Sequence, residues 1–186
     1  ASVMLGGCGG VSNEHLALML RSGALKARVF DADALPAPEQ FHQLDARCIL
    51  TPHFGEFERI FGGLGGNDSG SGNASDTDLM EAALGAARRS GSVVVLKSPH
   101  TVIAHPDGRC IVNHHASPYL AKAGTGDVLA GIVCGLVSQS MAPFEACAAA
   151  VWIHGEAARR FGPGLIAGDI AGLLPAILRD LLVKDD

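Results

Sequence analysis

The sequence predicts an α/β fold, a mainly parallel sheet covered by helices on both faces. Three observations predict it. Short runs of β-forming residues alternate with longer amphipathic segments, the pattern of a sheet built from strand–helix–strand units. Of the 186 residues, 48% are hydrophobic and only 18% charged, which is enough apolar material for one core and short for two. Glycine-rich or polar groups also follow one strand-like run after another, at the edge where such sheets bind ligands. The expectation is a single domain over residues 1–186.

The elements follow in order. Residues 2–5, "SVML", read as the first strand and run into "GGCGG" at residues 6–10. Ser12 can cap a helix through about Arg21, because its hydroxyl can take a first-turn amide. Residues 27–30 form a second strand that ends in Asp31 and Asp33, and a short helix is expected near residues 39–45. The third strand, residues 48–51, carries His53 and Glu56 just beyond its end. By composition residues 62–77 are a solvated loop and the expected mobile segment. A helix over residues 78–90 leads to "SVVVLK" at 92–97, the most strand-like run of the chain. Residues 101–113 read as a hairpin turning at Asp107-Gly108. Three helices close the chain at 127–139, 143–161 and 169–182; the middle one is apolar on most faces and expected to be buried. Asp169 reads as an N-cap and His154 as a satisfied core or helix-packing residue.

Charge and cysteine usage narrow the function classes. The net charge is −5 with no Lys/Arg cluster, so no nucleic-acid partner is expected. No apolar run approaches the ~20 residues of a membrane span. The five cysteines are scattered, odd in number and free of C-x-x-C pairs, and most lie in apolar runs where buried reduced thiols are the ordinary reading, which favours a reducing cytoplasm.

The most informative motif is Gly124-Thr125-Gly126-Asp127, set directly before a long apolar run. Glycines let the backbone approach a ligand, and the amides that open the next helix form an anion pocket. Asp127 could take a proton from a substrate hydroxyl while those amides hold charge on a transferred phosphoryl group. The bland reading of the same residues is a glycine turn before a first-turn aspartate. "GGCGG" reads as a phosphate loop or as a tight strand-to-helix turn; it lacks Rossmann spacing, and no G-x-x-x-x-G-K-[ST] occurs in the chain. Cys8 within it reads as a small filler rather than a nucleophile. His53 can contact a ligand, bridge to Glu56 or serve the fold alone, and Lys97 can neutralise phosphate or merely be solvated. His114 and His115 are neighbours in an extended run and point to opposite faces, which argues against a shared ion.

In order along the chain, "VMLGGCGG", "VFDADAL", "LTPHFGEFERIFG", "VVVLKSPHTVIAHPDGRCIVN", "AKAGTGDVLAGIVCGL" and "AAAVWIHGEAA" resemble the NAD(P)H-hydrate dehydratase family. The resemblance covers nearly the whole sequence, and "DADAL", "TPH-x-GE" and "AGTGDVLAG" carry most of it. It implies a ribokinase-like three-layer α/β/α fold. It also implies repair of hydrated NADH or NADPH with ADP or ATP and Mg²⁺, by phosphorylation of the ring hydroxyl followed by loss of phosphate. By the same resemblance, Asp127 activates that hydroxyl. Lys97, Ser98, Pro99, His100, Thr101, Gly124, Thr125 and Gly126 contact the nucleotide, and His53, Cys8 and Asp33 join Asp127 at the hydrated cofactor. No metal ligand is assigned, and a homo-oligomer is expected. Three positions depart from the family pattern: Phe54 where it usually has Pro, Ser98 where it has Gly, and Lys122 where Thr is commoner. Family members carry further sheet ahead of where this sequence starts, so the expectation is an N-terminally incomplete domain. The alternatives are a small-alcohol kinase of the same superfamily and a non-catalytic nucleotide-binding remnant; the pairing of "DADAL" with "TPHFGE" favours the dehydratase.

Overall fold

A computed structural model describes residues 2–63 and 74–183. Its strands are β1 (Val3–Gly6), β2 (Ala27–Phe30), β3 (Cys48–Leu50), β4 (Val93–Leu96), β5 (Thr101–Ala104) and β6 (Cys110–Asn113), and they form one sheet in that order. β1 to β4 are mutually parallel, and β5 and β6 return antiparallel. Four parallel strands in sequential order share one carboxyl edge, so the loops that follow them meet there.

Period-two alternation sends successive strand residues into two different cores. Phe30, Leu50, Val94 and Leu96 face one core with α1 (Asn13–Arg21), α2 (Phe54–Phe61) and α3 (Asp76–Ser90). Val29, Ile49, Val93 and Val95 face the other, beneath α4 (Thr125–Ser138) and α5 (Pro143–Phe161). α6 (Ala167–Leu182) packs outside, against α5 and α4. Each fully buried Val, Leu, Ile or Phe contributes roughly 1.5–3 kcal/mol. The result is a three-layer α/β/α arrangement with most of the sheet buried on both faces.

The local chemistry matches the expected elements closely. The Ser12 hydroxyl accepts from the His15 amide and opens α1, and the hairpin turns at Asp107-Gly108. α5 is buried over most of its length. Four expectations change. The short helix is a 3-10 segment, Pro38–Gln43. α3 starts at Asp76, because the Ser75 hydroxyl accepts from the Asp78 amide and caps it there. Asp169 is not the N-cap of α6; it lies three residues in, and its carboxylate reaches back to the Ile166 amide at 2.9 Å. His154 is buried, but its Nε2 has no hydrogen-bond partner among the described residues. Within the expected loop at 62–77, residues 64–73 lie outside the described residues. No helix among the described residues is long and apolar enough to cross a membrane.

Candidate active site at the carboxyl edge of the sheet

Asp31 closes β2 and is only 1% exposed. Its Oδ1 accepts from the Thr51 hydroxyl at 2.7 Å and from the Lys97 ammonium at 2.7 Å. A buried carboxylate needs such donors, and these join the ends of three neighbouring strands. The Lys97 amide donates to the Pro52 carbonyl at 2.9 Å, which carries parallel pairing one step past β3 and β4. His53 and Lys97 therefore stand opposite each other. His53 also opens α2: its Nδ1 accepts from the Glu56 amide at 3.3 Å, and Glu56 Oε2 accepts from the His53 amide at 2.7 Å. The imidazole itself is exposed.

Facing this edge is the start of α4. Gly124 is its N-cap, and the Thr125 hydroxyl donates to the Leu120 and Lys122 carbonyls at 2.7 and 2.8 Å, pinning the approach. The Gly126 and Asp127 amides have no protein acceptor among the described residues. Unpaired first-turn amides at the positive end of a helix are an anion site in waiting. A Cβ on Gly126 would lie 3.1 Å from Lys97 Nζ, so the ammonium sits against that glycine. Backbone donors and a cation thus converge on one spot.

Between the two edges is a cavity of about 840 Å³. Its wall contains His53, Lys97, Ser98, Pro99, His100 and Thr101. Gly124, Thr125, Gly126 and Asp127 complete the opposite side. The expected nucleotide residues and two of the expected substrate residues are thus brought to one place. Asp33 is not: it is exposed on the 3-10 turn after β2 and lies outside the wall, and the wall residues from that motif are Asp31 and Ala32. Cys8 is not a wall residue either, yet its Sγ lies within 4.8 Å of a carboxylate oxygen of Asp31 and of Asp127. Partial burial, then the charges of Asp127 and Asp31, push its thiol up to about 11, so it stays protonated. The turn reading of "GGCGG" gains support from Gly7, whose φ is +113° and where a Cβ would fall 1.7 Å from the Asp31 carbonyl oxygen.

Among the wall residues to which the sequence assigns no individual role, Asp31 and His154 bring ionisable groups. In the sequence Asp31 reads, with Asp33, as one of the polar groups at the strands' carboxyl edge, without a role of its own. His154 reaches the wall from α5; burial first, and then the charge of Lys97, holds its imidazole down at about 4 against the opposing pull of the Thr125 backbone, so it is neutral near pH 7. His114 and His115 part as expected. His115 stacks on Trp152 and meets Glu156 at 2.9 Å, whereas His114 turns to the cavity.

Residues 2–174 match the NAD(P)H-hydrate dehydratase family model. The chain belongs to that family. A bifunctional NAD(P)H-hydrate repair enzyme of Salinibacter ruber is 39% identical over 159 residues, 80% of this chain and 28% of that protein. The ADP-dependent (S)-NAD(P)H-hydrate dehydratase of Neisseria meningitidis is 36% identical, over 89% of this chain and 57% of its own length. Among solved structures, the Bacillus subtilis ADP/ATP-dependent NAD(P)H-hydrate dehydratase, co-crystallised with ATP/Mg²⁺, superposes with a TM-score of 0.78 at 29% identity, over 96% of this chain and 66% of that one. A hydroxyethylthiazole kinase of Pyrococcus horikoshii, at TM-score 0.64 and 17% identity, covers 89% of this chain and 68% of its own and shares the ribokinase-like fold. This member of the dehydratase family spans between about a quarter and three fifths of the curated relatives named here.

Proposed function

We propose that the protein takes part in nucleotide-dependent dehydration of hydrated NADH or NADPH, with ADP or ATP as phosphoryl donor. The observation that carries this reading is the meeting of the free Gly126 and Asp127 amides, the Lys97 ammonium and the Asp127 carboxylate at one cavity. Asp127 takes the proton of the ring hydroxyl as its oxygen attacks the terminal phosphorus of the nucleotide; the phosphorus–oxygen bond to the leaving nucleotide breaks. The α4 amides and Lys97 hold the charge of the transferred group. In the second step the carbon–oxygen bond breaks, phosphate departs with the electron pair, and loss of a ring proton forms the double bond. Asp31 orients Lys97 throughout. Ser98, Pro99, His100 and Thr101 line the nucleotide's side, His53 lines the hydrated ring's side, and Cys8 adjoins the ring's side next to Asp127.

The donor chemistry also fits Mg²⁺. Carboxylate oxygens of Asp31 and Asp127 come within 4.8 Å, and this hard cation needs only one or two carboxylates beside phosphate and water. When bound, it neutralises phosphate charge. A cytoplasmic setting, which keeps the five cysteines reduced, and assembly into a homo-oligomer belong to the same reading.

The test mixes the protein with Mg²⁺, hydrated NADH and either ADP or ATP. Restored dihydronicotinamide absorbance supports the reading. Phosphorylation of thiazole or pyrimidine alcohols, with hydrated NADH left untouched, would replace it by the kinase reading.

A further inference from the structure

Three donors meet at the cavity mouth from distant parts of the chain. Asp76 comes from the first turn of α3, His100 from the β4–β5 connection and His114 from just past β6. Asp76 Oδ1 lies 2.8 Å from His100 Nδ1, and its Oδ2 lies 3.3 Å from His114 Nε2. The two imidazole rings meet edge to face with centroids 4.5 Å apart. One donor atom from each residue lies within 4.8 Å of the other two. In a tetrahedral N/O site with bonds near 2.0–2.1 Å, adjacent donors are ~3.3 Å apart. Small side-chain rotations therefore close the set.

The arrangement differs from other histidine–carboxylate contacts. His53–Glu56, His105–Asp107 and His115–Glu156 each bring one imidazole to one carboxylate. Among the described residues, Asp76 is the carboxylate that two imidazoles share. Two imidazoles held together gain little from each other when neutral and repel when both are protonated. A dication between them removes that conflict.

We propose that Asp76, His100 and His114 bind a borderline transition-metal dication such as Zn²⁺, Co²⁺ or Ni²⁺ at the mouth of the cavity. Two imidazoles and one carboxylate suit such ions, whereas Mg²⁺ prefers an all-oxygen shell. His100 and His114 belong to the cavity wall, so the remaining coordination positions open towards it. The ion also clamps the start of α3 onto the β4–β5 connection. The site is separate from the Asp31–Asp127 pair, and its occupation requires neither nucleotide nor turnover, so it stands or falls apart from the dehydratase reading.

The experiment titrates Co²⁺ into metal-stripped protein, follows the visible ligand-field bands, and then displaces the ion with Zn²⁺. One equivalent should bind. His100→Ala and His114→Ala should each weaken binding about 10-fold or more, and together they should remove the bands. Asp127→Asn and His42→Ala should leave them in place. Thermal melting confirms that the variants are folded. As a measurement free of variants, Zn²⁺ should protect His100 and His114 of the wild type from acylation by diethyl pyrocarbonate. Undiminished binding in the folded double variant, a thiolate charge-transfer band, or unprotected His100 and His114 at saturating Zn²⁺ would each overturn the proposal.

Discussion

The Lys97 ammonium donates to Asp31 Oδ1 at 2.7 Å and ties the end of β4 to the end of β2 across the intervening strand. Thr51 on that strand donates to the same oxygen. The lysine is thereby aimed before any ligand arrives. Replacing Lys97 by Met leaves the buried Asp31 carboxylate with Thr51 as its side-chain donor, which costs roughly 1–3 kcal/mol of stability. Chemical denaturation should show that loss, and calorimetry should show weaker nucleotide binding in the same variant. Full stability with full affinity would remove the positioning role.

Gly126 gives a contrasting prediction. A methyl group there meets only the far end of the Lys97 side chain, at 3.1 Å, and that end can move. Gly126→Ala should therefore melt close to the wild type while nucleotide binding weakens, because the ammonium is displaced from the anion site. Equal losses of stability and affinity would mean that the glycine serves packing alone.

His154 predicts a pH dependence. Its folded-state value of about 4 lies below that of an unfolded histidine, so between about pH 6.5 and pH 4 the unfolded chain binds the extra proton. Stability from this residue is fully present above pH 6.5 and falls as the pH drops towards 4, by on the order of 3 kcal/mol. Denaturation at several pH values should show a shallower slope for His154→Gln than for the wild type. Parallel slopes would place the imidazole in a solvated setting.

Cys8 is exposed and still predicted to react slowly. A thiol raised from 9.0 to about 11 has about 100-fold less thiolate near neutral pH than an ordinary cysteine. Iodoacetamide should label it sluggishly in the wild type and faster in Asp127→Asn, which removes one of the raising charges. No change in rate would separate Cys8 from Asp127.

How far the sequence reveals this site follows from the physics of each signal. Strand and helix placement is written locally, in alternation at 27–30 and 92–97 and in caps such as Ser12, so it is legible. The shared carboxyl edge follows from strand alternation, and that is why residues 6–10, Asp31, His53 and Lys97 group together from sequence, whereas Gly126 and Asp127 are found by their own motif. The choice between Asp31 and Asp33 is decided by which one Thr51 and Lys97 reach, a contact across three strands that no local pattern encodes. The meeting of His100 and His114 with Asp76 has the same cause. Spacing tells that adjacent histidines diverge, but not what each then meets. His154 looked like ordinary core because the cavity beside it is made by segments far away in the chain.

The central claim is that Asp127 takes the hydroxyl proton while the amides beside it bind the nucleotide. The most direct measurement compares turnover of hydrated NADH and nucleotide affinity in the wild type and in Asp127→Asn. The account predicts that kcat falls by about 10²–10⁴-fold while nucleotide Kd shifts by only a few-fold. Turnover at the wild-type rate in Asp127→Asn would contradict it.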